Sequence, residues 1–189
     1  DVYKRQHHDR LPEVLEHRVR ARRDWDCAQD DLECAQANGF HLLTPDMPEW
    51  PSDHLAEFGY SAMYARQVRD AAAWAPYALW VKGNMDVLRC PSIAVVGSRH
   101  PSTDGKRVTA TLCAEMAVEN IGLVSGLACG VDSIAHQTAV QLGTSTIAVV
   151  ACGLDRVYPA RHTALARSIV HNGLIVSEYP PGTRPARYR

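Results

Sequence analysis

Between Ile93 and Glu178, four short apolar runs alternate with three longer segments of helical period, and this alternation restricts the fold more than any other feature of the chain. The runs are IAVV (93–96), GLVSG (122–126), TIAVVACG (146–153) and LIVSE (174–178). Between them, Val108, Leu112 and Met116 lie four apart; Ile134, Ala135, Thr138 and Ala139 mark a second helical face, and Leu165, Ile169 and Val170 a third. Such a β-α-β-α-β-α-β series predicts a parallel sheet, since parallel neighbours need a long crossover and a helix supplies one. Right-handed crossovers then give an α/β, Rossmann-like, doubly wound and mainly parallel sheet with helices on both faces. The chain stops at Arg189, soon after the fourth run, so the sheet is expected to be incomplete on its C-terminal side.

The front of the chain has a different character. Residues 10–38 are dense in charge, with Leu11, Val14, Leu15 and Val19 at helical spacing, and predict a helix with a solvated face. Three prolines punctuate residues 39–51, and short helical and extended pieces follow up to Gly83. This suggests a division into a mostly helical or irregular N-terminal segment, 1–75, and a Rossmann-like domain, 76–189. With 189 residues and 46% hydrophobic content, a packed core is expected. No apolar run reaches the roughly 18 to 20 residues that cross a bilayer, and the first ten residues hold no apolar signal core, so a soluble, cytoplasmic protein without a membrane partner is expected. The chain begins at Asp1 rather than Met, so its natural start is processed or missing. Six cysteines without C-x-x-C spacing read as buried reduced thiols, not as a disulfide framework or zinc site. A net charge of −1 means that any affinity for a polyanion must come from locally gathered cations.

Ligands of open parallel sheets bind beyond the carboxyl ends of the strands, which directs attention to the loops 97–107, 125–136, 152–162 and 177–189. In the first, Gly97 lets the backbone turn closely past a ligand, Ser98 offers a hydroxyl, and Arg99 projects a planar cation suited to phosphate oxygens. A helix capped by Ser102 or Thr103 follows, with Lys106 and Arg107 in its first turn, where an anion would relieve their conflict with the helix dipole. Neither nucleotide fingerprint fits. G-x-G-x-x-G needs glycine where Arg99 stands, and Gly105-Lys106 is followed by Arg107 instead of Ser or Thr.

In the second loop, Ser125-Gly126 and Gly130 flank a turn whose amides could face a phosphate. Asp132 and His136, four apart, have the spacing of a metal pair, but with no further ligand nearby we read them as a helix-dipole acid and a packed histidine. A Cys129–His136–Asp132 nucleophile system lacks an oxyanion partner. Tyr158 could stack on a base or fill a groove. Arg156, Arg161 and Arg167, then Arg184, Arg187 and Arg189, add charge that would form a basic cleft if it converged at one end of the sheet.

The segments LWVKGN (79–84), IAVVGSRHPSTDGKR (93–107), 122–162 and GLIVSEYPPGTRPARYR (173–189) together resemble the DNA-processing protein A family, DprA, also called Smf. The resemblance covers residues 78–189, with TPDMPEWP (44–51) similar to the approach to that domain. It implies an extended Rossmann-like domain that binds single-stranded DNA without sequence preference, protects incoming strands in natural transformation and helps load the RecA recombinase. It implies no cofactor, no metal and no catalytic residue. Arg99 then matches the arginine that contacts DNA phosphate. Gly126, Gly130 and Asp132 match the loop that lines the pocket, and Arg187 falls near a further basic position. The family often has a basic residue after Tyr-Pro; here Ala160 stands there and Arg161 follows. The family also continues into Phe-Pro-x-Arg-Asn-Arg and strands that supply self-association, so the full-length protein is expected to be a homodimer and this fragment is not. Two other readings use the same loops. One is a hydrolase cleaving the glycosidic bond of nucleoside monophosphates, suggested by PPGT (180–183), which lacks that loop's second glycine and its catalytic Glu. The other is a small-nucleotide sensor.

Overall fold

The computed structural model describes residues 25–52, 55, 76 and 78–185. Helix α1 (Trp25–Asn38) leads into strand β1 (His41–Leu43), and strand β2 (Leu79–Gly83) is followed by a 3-10 turn at Met85–Arg89. Then come β3 (Ser92–Ala94), α2 (Thr103–Val118), β4 (Gly122–Ser125), α3 (Val131–Leu142), β5 (Thr146–Val149), a 3-10 turn at Ala160–His162, α4 (Thr163–Asn172) and β6 (Leu174–Ser177). Every expected strand and crossover helix after residue 92 forms. Of the expected N-terminal helix, Leu11, Val14, Leu15 and Val19 lie outside the described residues.

The six strands form one sheet in the order β1-β2-β6-β5-β4-β3. β3, β4, β5 and β6 are parallel, whereas β1 and β2 add to the β6 side as an antiparallel pair, with Trp80 opposite Ser177 and Leu42 opposite Trp80. The class is therefore Rossmann-like α/β with a mainly parallel sheet. One expectation needs correction: among the described residues, the crossover helices cover one face and not both. Leu123, Ala148 and Ile175 share a side of the sheet through the β4–β5–β6 register. Leu123 packs with Cys113 of α2 and Ala135 and Ala139 of α3, while Ala148 and Ile175 pack with Ala166 and Ile169 of α4. The cause is strand order. Each crossover steps to the next position in the same direction, so crossovers of one hand deposit α2, α3 and α4 side by side. The other face, with Val81, Ile147, Leu174 and Val176, packs against Val87 and Leu88 of the 3-10 turn and against Trp50.

The sheet and its core also draw on residues on both sides of position 75. Ala35 and Phe40 share a core with Trp80, Phe40 meeting the indole edge-on at 5.9 Å, and Lys82 Nζ donates to the carbonyl of Asn38 at the end of α1 (2.6 Å). No helix among the described residues is long and apolar enough to cross a membrane. All six cysteines are free, but only Cys113 and Cys152 are buried, so the expectation of uniformly buried thiols holds for those two.

Candidate nucleic-acid interface

Each parallel strand ends by releasing its chain at the same edge of the sheet, and the four loops released there are tied to one another in series. After β3, the carbonyl of Ser98 accepts from the Val131 amide at the start of α3 (3.1 Å), while Ser98 Oγ accepts from the His100 amide (3.0 Å). Gly97 lies against the Val131 side chain, and Gly130 has φ +84 and runs so close to Ser98 and Arg99 that a Cβ there would stand 2.7 Å from the Arg99 carbonyl. Only glycine fits at that crossing.

The loop after β4 is organised by Asp132. Its Oδ2 accepts from the amides of both Gly126 and Ala128 (3.2 Å each), and Leu127, with φ +60, points into the core at 1% exposure. The expectation that this turn's amides face a phosphate is therefore corrected for Gly126 and Ala128, whose N–H groups are taken by the chain's own carboxylate. Ser125 Oγ donates inward to the Val95 carbonyl (2.7 Å).

The third loop leans on the second. His162 Nδ1 lies 2.8 Å from the Leu127 carbonyl, and Arg161 Nη2 donates to the sulfur of Cys129. The third and fourth loops are joined by Gly153 N–H to Thr183 O (3.0 Å) and Gly182 N–H to Asp155 Oδ1 (2.9 Å). Asp155 Oδ2 also accepts from Arg156 Nη2 (2.7 Å). Burial raises the Asp155 carboxyl, but the hydrogen bonds from Arg156 and Gly182 outweigh it and hold its pKa below the ordinary carboxylate value.

The result is a continuous ledge. Arg99 and Arg161 flank the Cys129–Gly130 tip, one through the Gly130 crossing and the other through its contact with Cys129. Arg99, Lys106, Arg161 and Arg184 are exposed, and none has an acidic partner among the described residues. Ser102 caps α2 by accepting from the Gly105 amide (3.0 Å), with Lys106 one turn in; Arg107 makes an exposed pair with Asp104 (3.6 Å). Tyr158, on the same loop as Arg161, is 57% exposed. Arg156 is not part of this free charge, because Asp155 holds it. Arg187 and Arg189 lie outside the described residues. Sequence reasoning overlooked His162, Gly153 and Thr183 as ties between the loops, since each acts on a partner more than twenty residues away.

Asp132 and His136 have separate partners. Asp132 serves the loop, while His136 is fully buried, with Nδ1 2.8 Å from Thr146 Oγ1. Burial lowers the His136 pKa to about 4 despite the nearby Asp132 carboxylate. Cys129 meets Arg161 and not His136, so the nucleophile arrangement does not form. No cluster of three or more His, Cys, Asp or Glu side chains among the described residues could hold a metal ion. A cavity of about 240 Å³ on the sheet face away from the helices, lined by Leu79, Val149, Val176, Glu178 and Tyr179, presents no cationic side chain.

A family model described as DNA recombination-mediator protein A matches residues 55–189. A Mycobacterium tuberculosis relative, provisionally named DNA processing protein DprA, is 41% identical over 171 residues, covering 89% of this chain and 43% of its own length. The crystal structure of DNA processing protein A from Streptococcus pneumoniae superposes with a TM-score of 0.71 at 32% identity, over 96% of this chain and 56% of that one. DNA processing protein A from Helicobacter pylori, a structure described for its unique single-stranded DNA binding mode, gives 0.60 at 29% identity over 78% of this chain and 59% of that one. The chain spans less than half the length of the curated relatives it matches.

Proposed function

Because this chain belongs to the DNA recombination-mediator protein A family, we propose that it binds single-stranded DNA without sequence preference, as a non-catalytic module, across the ledge of strand-end loops. The observation that carries the reading is the pair Arg99 and Arg161 on either side of the Cys129–Gly130 tip, both exposed and without an acidic partner among the described residues. The Gly130 crossing sets the Arg99 backbone and the Cys129 contact holds Arg161, and exposed guanidinium groups so rooted can make charge-assisted, forked hydrogen bonds to phosphates. In this reading Gly97, Ser98 and Gly130 permit close approach of the strand, and Lys106 and Arg184 extend the positive track. Tyr158 offers an exposed ring for a base, while Arg187, outside the described residues, is the further basic position that the family resemblance implies. Ser125, Gly126 and Asp132 shape the loop without touching phosphate, Asp132 because its own charge would repel one.

The proposal extends to the whole protein. There the ledge would hold incoming strands in the cytoplasm, shield them and present them to the RecA recombinase, with a homodimer formed through residues outside this chain. The H. pylori protein's single-stranded DNA binding mode supports the ligand class. Asp132 and Asp155 each accept from backbone amides, which disfavours either of them as the catalytic acid of a nucleotide hydrolase.

Fluorescence anisotropy of a labelled homopolymer, single-stranded and duplex, with AMP as competitor, tests the reading. Tighter binding of the single strand, unaffected by AMP, is expected. Binding of AMP alone, or its turnover, would replace the reading with a nucleotide sensor or hydrolase.

A further inference from the structure

We propose that Asp155 is a positioning residue of the DNA ledge: its carboxylate locks the loop after β5 to the loop after β6 and thereby fixes where Arg161 and Arg184 stand. The inference rests on the single-stranded DNA reading above and adds a residue to it that meets no DNA.

An acid beside a polyanion site is an expense that a binding surface normally avoids, since its field opposes the ligand. Here both carboxylate oxygens point back into the protein. Oδ1 receives the Gly182 amide at 2.9 Å and Oδ2 receives Arg156 Nη2 at 2.7 Å, and the side chain is 19% exposed. A second bond, from the Gly153 amide to the Thr183 carbonyl at 3.0 Å, closes the same two loops into a ring. The ring leaves no spare room: a Cβ on Gly153 would strike Asp155 Oδ1 and stand 2.8 Å from the Pro180 carbonyl oxygen. Arg184 directly follows Thr183, and Arg161 lies six residues after Asp155. The ring therefore joins the two loops that carry Arg161 and Arg184.

The tie is not what holds the strands together. β5 and β6 pair along their length, and Ser177 Oγ bonds the Cys152 carbonyl at 2.7 Å beneath the ring. Loss of the carboxylate should then loosen the loops and leave the sheet intact.

This makes the sign of the effect diagnostic. If Asp155 acted only through its charge, its removal would strengthen DNA binding, by ending repulsion and releasing Arg156. If it positions the loops, its removal weakens binding. The experiment is anisotropy of a labelled single-stranded homopolymer across a salt series with the chain and its Asp155→Ala, Asp155→Asn, Gly153→Ala and Arg99→Ala variants, each checked by circular dichroism. Asp155→Ala is expected to bind about ten- to a hundredfold more weakly, the loss typical of a hydrogen-bonded charge, with a shallower salt dependence because fewer cations reach phosphate. Asp155→Asn, which keeps an acceptor for the Gly182 amide, should recover most of the affinity. Gly153→Ala, which disturbs the ring without altering charge, should weaken binding as Asp155→Ala does. Tighter or unchanged binding by folded Asp155→Ala, or wild-type binding by Gly153→Ala, overturns the inference. If either result accompanies a large loss in Arg99→Ala, the DNA reading stands and only the role of Asp155 falls. If the wild-type chain binds no single strand, the DNA reading itself has failed.

Discussion

Lowering the pH from 7.5 to 5.5 should destabilise this fold through His136. The ring is fully buried between α3 and the sheet, with Nδ1 against Thr146 Oγ1 at 2.8 Å. Thr146 Oγ1 also donates to the Leu123 carbonyl at 2.8 Å, which ties the ring's partner to β4. Burial lowers the native pKa from 6.5 to about 4. The unfolded chain therefore binds more protons than the native one between those values, and stability falls as pH drops through that window. At ~1.4 kcal/mol per tenfold in proton affinity, the full effect approaches 3 kcal/mol near pH 4, with about 1 to 1.5 kcal/mol already lost at pH 5.5. Urea denaturation of the chain and of His136→Leu at pH 7.5, 6.5 and 5.5 measures this. Whatever His136→Leu does at pH 7.5, the gap between the two proteins should move in favour of the variant by about 1 kcal/mol or more at pH 5.5. Parallel pH profiles would refute the reasoning, because they would mean that His136 titrates alike in both states.

Two further substitutions address the loops. Gly130→Ala forces a side chain into φ +84 and against the Arg99 carbonyl. It should destabilise the fold by about 1–3 kcal/mol and, by displacing the Arg99 backbone, weaken single-stranded DNA binding more than the stability loss alone explains, as thermal melts beside anisotropy would reveal. Ser102→Ala removes the side-chain acceptor of the Gly105 amide at the start of α2. A loss of about 0.5–2 kcal/mol in urea denaturation is expected.

What the sequence discloses here is local, and what it conceals is long-range. The strand IAVV and the Ser102 cap are both readable because periodicity and capping act within a few residues. Yet the strand itself is Ser92–Ala94, Val96 (80% exposed) falls beyond its end, and Ile93 is 41% exposed because β3 lies at the edge of the sheet among the described residues, a property of strand order. Strand order likewise decides that α2, α3 and α4 share a face, and no hydrophobic period encodes it. β1, three residues long, and β2 escape notice as sheet members because their pairing joins Leu42 to Trp80 and Trp80 to Ser177. At the candidate site, the exposed position of Arg99 follows from a Gly-Ser-Arg turn after an apolar run. The tasks of Asp132 and Asp155 do not: an acid among glycines reads equally as a ligand, a helix-dipole partner or a staple. Only the amides of Gly126, Ala128 and Gly182 distinguish these possibilities.

The central claim, that Arg99 stands in a phosphate-binding ledge, is tested most directly by the salt dependence of single-stranded DNA affinity for the chain and for Arg99→Ala. Log K should fall linearly with log salt for both proteins. Arg99→Ala should bind more weakly by about 1–3 kcal/mol, and its slope should be shallower by roughly 0.7, because one phosphate fewer is neutralised. Equal affinity and equal slopes would place Arg99 outside the DNA path and contradict that claim.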